Sequence, residues 1–132
     1  GNNFFVVYLA GHKDKVWDVS FSPDGRFIAS CSGGNVIVWN AIDGTVINTF
    51  KHQSAVSSVS FSPDSNWLVS GGEDKTLTIY AVTIGLTIKT VRQSRTVHSL
   101  SFSPDGRVIA SGDHSGTIKL WEVSSGGELR TL

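Results

Sequence analysis

The sequence holds one cysteine, Cys31, so no disulfide can form within the chain and no cysteine-based zinc cluster can be built. It has no charge of one sign to spare: eleven Lys and Arg side chains stand against eleven Asp and Glu. A balanced chain has no global field to steer nucleic acid or an anionic membrane surface, so neither is expected as a partner. Long apolar runs are missing too. The run Phe4 to Leu9 is far too short to span a bilayer and lacks the basic flank and cleavage site of a signal peptide. The expectation is a soluble, cytoplasmic protein. Sustained helical periodicity is also lacking, and β-branched residues dominate the apolar positions. No linker, charge block or low-complexity segment divides the 132 residues, which read as a single segment.

What the chain does have is repetition. Ser20-Phe21-Ser22-Pro23-Asp24 returns at Ser60 to Asp64 and at Ser101 to Asp105. The marker phenylalanines Phe21, Phe61 and Phe102 are spaced by about 40 residues, a period that suits four-stranded propeller blades. Pro23 presets the backbone of a tight turn, while Ser22 and Asp24 supply its local hydrogen bonds. Each copy then reads as four strands. In the first these are Val16 to Phe21, Phe27 to Cys31, Asn35 to Asn40 and Thr45 to Phe50, with Gly33-Gly34 and Asp43-Gly44 as breaks. In the second they are Val56 to Phe61, Trp67 to Gly71, Thr76 to Tyr80 and Leu86 to Val91. In the third they are Val97 to Phe102, Val108 to Gly112, Thr117 to Trp121 and Glu128 to Leu132. The fold class is all-β: three four-stranded antiparallel blades over residues 11–50, 51–91 and 92–132, preceded by an extra strand over residues 4–9.

Gly11-His12, Ser22-Pro23-Asp24-Gly25 and Val36-Ile37-Val38-Trp39-Asn40, with Trp121-Glu122 and Tyr80-Ala81 closing the other copies, resemble the WD40 repeat. The resemblance implies a β-propeller whose blades carry an internal tetrad of a loop His, a second-strand Ser or Thr, a turn Asp and a third-strand Trp. Carried over by residue, the first copy keeps His12, Ser30 and Trp39 but is one residue short at Gly33-Gly34 and has no Asp there. The second keeps His52, Ser70 and Asp74, with Tyr80 in place of Trp. The third keeps Ser111 and Trp121, with Gln93 at the His position and Ser115 at the Asp position. Truncating a buried Trp costs about 3–5 kcal/mol, whereas one neutral hydrogen bond contributes about 0.5–1.5. The incomplete tetrads should therefore loosen turns without abolishing the fold.

Chemistry finds little footing. His12 and His52 stand at matching repeat positions, which a structural role explains and a single active site does not. Cys31 matches Gly71 and Gly112, as a small core residue would. The series Ser30, Ser70, Ser111 lies in no nucleophile elbow, and no phosphate loop is present. His98 and His114 have no matching repeat role and no second ligand at helical or hairpin spacing, so neither metal nor cofactor is expected. Surface recognition remains, without catalysis. The position after the first-strand valine differs in every copy, as Trp17, Ser57 and His98, and the resemblance implies that it looks toward the docking face. Lys13, Lys15 and Arg95 lie in adjoining loops. Trp17 is either blade packing or a binding anchor.

The reading is a scaffold for protein or peptide. The alternatives are a purely structural self-assembling unit, natural or engineered, and an accessory module of a larger enzyme or signalling protein. Three blades are too few for a closed ring of four to eight, so a homo-oligomer is expected, with two copies giving six blades favoured over three giving nine. Residues 4–9 are in the phase of a fourth strand and are expected to clasp the neighbouring copy, with Glu128 to Leu132 displaced or left on the rim.

Overall fold

In the computed structural model, described over residues 8–132, three four-stranded antiparallel sheets follow one another along the chain. The first contains β1 (Asp18–Phe21), β2 (Phe27–Ser32), β3 (Asn35–Asn40) and β4 (Val46–Lys51). The second contains β5 (Val56–Phe61), β6 (Trp67–Gly72), β7 (Thr76–Ala81) and β8 (Leu86–Arg92). The third contains β9 (Val97–Phe102), β10 (Val108–Asp113), β11 (Ile118–Glu122) and β12 (Glu128–Thr131). Within each sheet the strands lie in chain order, as a meander of short hairpins requires. The described residues contain no helix.

The repeated pentad builds the same turn three times. Ser22 Oγ donates to Asp24 at 2.7 Å, Asp24 accepts from the Arg26 amide at 3.0 Å, and the Phe27 amide donates back to Ser22 Oγ at 2.9 Å. Ser62 and Asp64, then Ser103 and Asp105, repeat this geometry. The residue after each Asp must take a left-handed backbone. Gly25 and Gly106 do so at φ 76° and 73°, while Ser65 does so at 65° and uses its hydroxyl to accept the Asp24 amide of the preceding blade.

Alternate residues of each middle strand face opposite neighbours, so every blade is apolar on both sides. One core lies between the first two blades, where Ala29, Cys31, Val36 and Val38 meet Val59, Phe61, Leu68 and Tyr80. A second lies between the last two, where Val69, Leu77 and Ile79 meet Leu100, Ile109 and Trp121. The first strands of successive blades, β1, β5 and β9, pack side by side.

Two expectations change. The first strand begins at Asp18 rather than Val16, although the Trp17 amide still donates to the Cys31 carbonyl at 2.9 Å. Glu128 to Leu132 is not displaced: β12 pairs with β11 in its own blade, Leu120 opposite Arg130 and Lys119 opposite Thr131. The cause is local. The Glu122 amide donates to Gly127 O at 2.9 Å and the Gly126 amide to Glu122 O at 2.8 Å, so a tight hairpin delivers β12 to that edge at little loop-closure cost. Of the expected strand over residues 4–9, residues 4–7 lie outside the described residues, and Tyr8 and Leu9 are in no strand.

Candidate functional site

Each blade is built around one buried serine on its second strand. In the first, Ser30 Oγ accepts from Trp39 Nε1 at 2.8 Å and lies 2.6 Å from His12 Nε2. In the second, Ser70 Oγ lies 2.6 Å from His52 Nε2 and 3.2 Å from the Tyr80 hydroxyl, while His52 Nδ1 reaches Asp74 at 2.8 Å. In the third, Ser111 Oγ accepts from Trp121 Nε1 at 2.8 Å and from Gln93 Nε2 at 3.3 Å. Burial tends to discharge Asp74, but hydrogen bonds from Thr76 and the neighbouring His52 outweigh it and hold the carboxyl below the usual range. The first blade has no Asp at that turn, and among the described residues His12 Nδ1 is buried without a partner. Burial also lowers the His12 pKa.

The third blade fills its gap differently from the sequence expectation. Ser115 stands at the position of Asp74, yet the acceptor that organises the turn is Asp113, which takes the amides of Ser115 at 2.9 Å and Thr117 at 3.1 Å and the Ser115 hydroxyl at 2.6 Å. Those bonds, the Ser115 hydroxyl first, hold Asp113 below the ordinary carboxylate range.

Ser70, His52 and Asp74 stand in the order of nucleophile, base and orienting acid. The Ser70 side of this trio is closed: Ser70 is 0% exposed, with Tyr80 on its far side, so its hydroxyl faces core rather than an approaching carbonyl. The trio fastens loop to strand. Cys31 is likewise fully buried, and burial pushes its thiol up to about 12.

The exposed candidates behave otherwise. Trp17, Ser57 and His98, equivalent positions in three blades, line one cleft of about 280 Å³ together with Glu73, Thr96 and His114. Trp17 is 63% exposed. The His98 and His114 rings lie against each other with centroids 4.5 Å apart and planes tilted by 43°. Among the described residues no group of three or more His, Cys, Asp or Glu side chains could hold a metal ion. A second cleft of about 270 Å³ shares Thr96 and His114 and adds Arg95 and Lys75. The structure thus brings Trp17, Ser57 and His98 together, with Arg95 beside them. Lys13 and Lys15 are exposed and line neither cleft. Ser57 is half-buried and donates to Val97 O of the next blade at 2.6 Å, so its hydroxyl is already engaged. Larger clefts of about 400 and 520 Å³ contain none of Trp17, Ser57, Arg95 or His98.

Residues that fasten blade to blade escaped the sequence reading. Asp18 accepts from the Val59 amide at 3.0 Å, and Ser58 Oγ accepts from the Leu100 amide at 3.1 Å. From the fourth strands, Asn48 Nδ2 donates to Val82 O at 2.6 Å and Lys89 Nζ to Ser124 O at 3.0 Å. A signal was present: Asp18 and Ser58 each stand three residues before a marker phenylalanine, polar where a strand between two cores should be apolar.

Comparison with known proteins bears on all three blades. The family model described as WD domain, G-beta repeat matches residues 4–40, 44–80 and 85–122. The serine-threonine kinase receptor-associated protein of Gallus gallus is 33% identical over 77 residues, which are 58% of this chain and 22% of that protein. An uncharacterized WD repeat-containing protein of Synechocystis is 48% identical over 46 residues, 33% of this chain and 13% of its own length. Among solved structures, U3-55K superposes with a TM-score of 0.89 at 23% identity, over 94% of this chain and 41% of that one. The chain thus spans about a fifth of the kinase receptor-associated relative. No helix among the described residues is long and apolar enough to cross a membrane.

Proposed function

Since the chain belongs to the WD40 repeat family, we propose that it is a propeller segment that binds a protein or peptide through the cleft where Trp17, Ser57 and His98 converge, without chemistry of its own. The observation that carries this is the convergence itself. Positions of equal repeat phase emerge on one end of a propeller, and here they bring an exposed indole to the His98 imidazole, with His114 against it and, next door, the Arg95 guanidinium. Exposed aromatic and Arg side chains around a cleft are the usual anchors of protein recognition. The kinase receptor-associated relatives are named for a protein partner, which supports that class of ligand.

The test is selection of peptides from a random display library on the intact chain, with Trp17→Ala and His98→Ala chains as counter-targets. Enriched peptides should lose at least tenfold in affinity for either variant, about 1.4 kcal/mol, while the melting temperatures stay within about 2 °C of the parent. Peptides that bind the parent and both variants equally would remove the cleft as the site.

A further inference from the structure

The cleft at Trp17 and the cleft beside it have opposite charge. In the first, of about 280 Å³, Glu73 is the one carboxylate among the described lining residues, and none of them is Lys or Arg. The second, of about 270 Å³, is lined by Lys75 and Arg95 with Ser94 and Ser115, and no carboxylate is among its described lining residues. The two meet at Thr96 and His114, which belong to both. A ligand long enough to cross that shared wall meets a negative charge on one side and two positive charges on the other.

These charges are little used within the chain. Ser54 donates to Glu73 Oε2 at 3.3 Å, a long bond from an uncharged group. Among the described residues, neither Glu73 nor Lys75 nor Arg95 belongs to an ion pair. Arg95 lies near enough to Asp113 to help lower that carboxyl's pKa, but Asp113 Oδ1 is occupied by the amides of Ser115 and Thr117 and the Ser115 hydroxyl. One carboxylate thus stands behind two cations, and the second cleft keeps its positive sign. In the first cleft the 63% exposed Trp17 adds an indole face, which attracts a cation. A cation there meets both an aromatic face and a carboxylate, whereas an anion meets the carboxylate's repulsion.

Resting on the peptide-binding reading above, we propose that the ligand presents a Lys or Arg side chain to Trp17 and Glu73 and an Asp or Glu side chain to Lys75 and Arg95. The basic side chain lies over the indole with its charged head toward Glu73. The acidic one follows about two residues away along an extended backbone that passes the wall of Thr96 and His114. Side chains two apart on an extended chain leave on the same side, roughly 7 Å from each other, which suits two clefts with a common wall. Charges placed in this way select the partner and its direction more than they deepen affinity.

Peptides enriched on the intact chain from the random display library test this against two further variants. They should carry a Lys or Arg within about three positions of an Asp or Glu. Glu73→Gln, which removes the charge at nearly constant shape, should weaken them about fivefold, and Arg95→Glu by about that much or more, both with unchanged far-ultraviolet circular dichroism. Replacing the peptide's basic residue with Met should weaken binding to the parent chain but change little on the Glu73→Gln chain, where the pair is already broken. Peptides that depend on Trp17 but lack a basic side chain, or that bind Glu73→Gln as tightly as the parent, would overturn the proposal and leave the cleft standing as the site. Full affinity for Arg95→Glu would overturn its acidic half. Peptides indifferent to Trp17→Ala, or a library that enriches none, would overturn both this proposal and the reading it rests on.

Discussion

His12, His52 and Gln93 occupy one position in three blades and show what a single atom decides there. His52 is held at both ring nitrogens, His12 at one, and Gln93 reaches its serine with no titrating group at all. Burial lowers the pKa of His12, so the unfolded chain takes up a proton that the folded chain resists. A depressed folded pKa means that stability is whole above the unfolded value of about 6.5 and drains away as pH falls below it. His12→Gln should remove that loss. Its melting temperature should hold steady from about pH 7 to 5.5, where the parent declines, and the two profiles should run parallel below about pH 4, where carboxylates take over. Parallel profiles across the whole range would show that His12 titrates alike folded and unfolded.

The shortened turn between β2 and β3 is tied to the segment that follows β4. The Gly34 carbonyl accepts the His52 amide at 2.8 Å, as the Lys75 carbonyl accepts the Gln93 amide at 2.7 Å in the second blade, and the Gly33 carbonyl accepts the Val56 amide at 2.7 Å. A Cβ on Gly34 would stand 2.8 Å from the His52 carbonyl oxygen, which is backbone and has nowhere to go. Gly34→Ala should therefore cost about 1–3 kcal/mol, measured by urea unfolding, and an unchanged midpoint would mean that the turn is free to shift. At this scale the sequence was most legible. Twelve strands form in the order that alternation and turn residues set, the first of them shortened to begin at Asp18, because local chemistry at Ser22, Asp24 and Gly25 sets each reversal. The serine networks lie at Ser30, Ser70 and Ser111, the positions that the resemblance to the WD40 repeat implies. Asp113 was missed because its series partner by spacing was Ser115, and backbone geometry rather than spacing chose the acceptor. The partners of Asp18, Ser58, Asn48 and Lys89 were missed because each contact joins residues 34–42 apart across two blades; the polar residue inside an apolar strand marks Asp18 and Ser58 as unusual without naming the partner.

The whole molecule is a row of like parts, and its behaviour follows from how one part meets the next. A quasi-one-dimensional stack gains stability from every junction it makes and leaves two faces bare unless the row closes. The cleft at Trp17 depends on the same geometry: it collects side chains from three blades, so its shape is set by the angle at which the blades are fastened. Residue-resolved amide hydrogen exchange at Val59 and Leu100 tests the recurring junction most directly. The Val59 and Leu100 amides are bonded to the preceding blade through Asp18 and Ser58, and the account predicts that both exchange slowly and that Asp18→Ala speeds Val59 while Ser58→Ala speeds Leu100. Fast exchange at both in the parent chain would contradict the recurring contact on which the description of the blades rests.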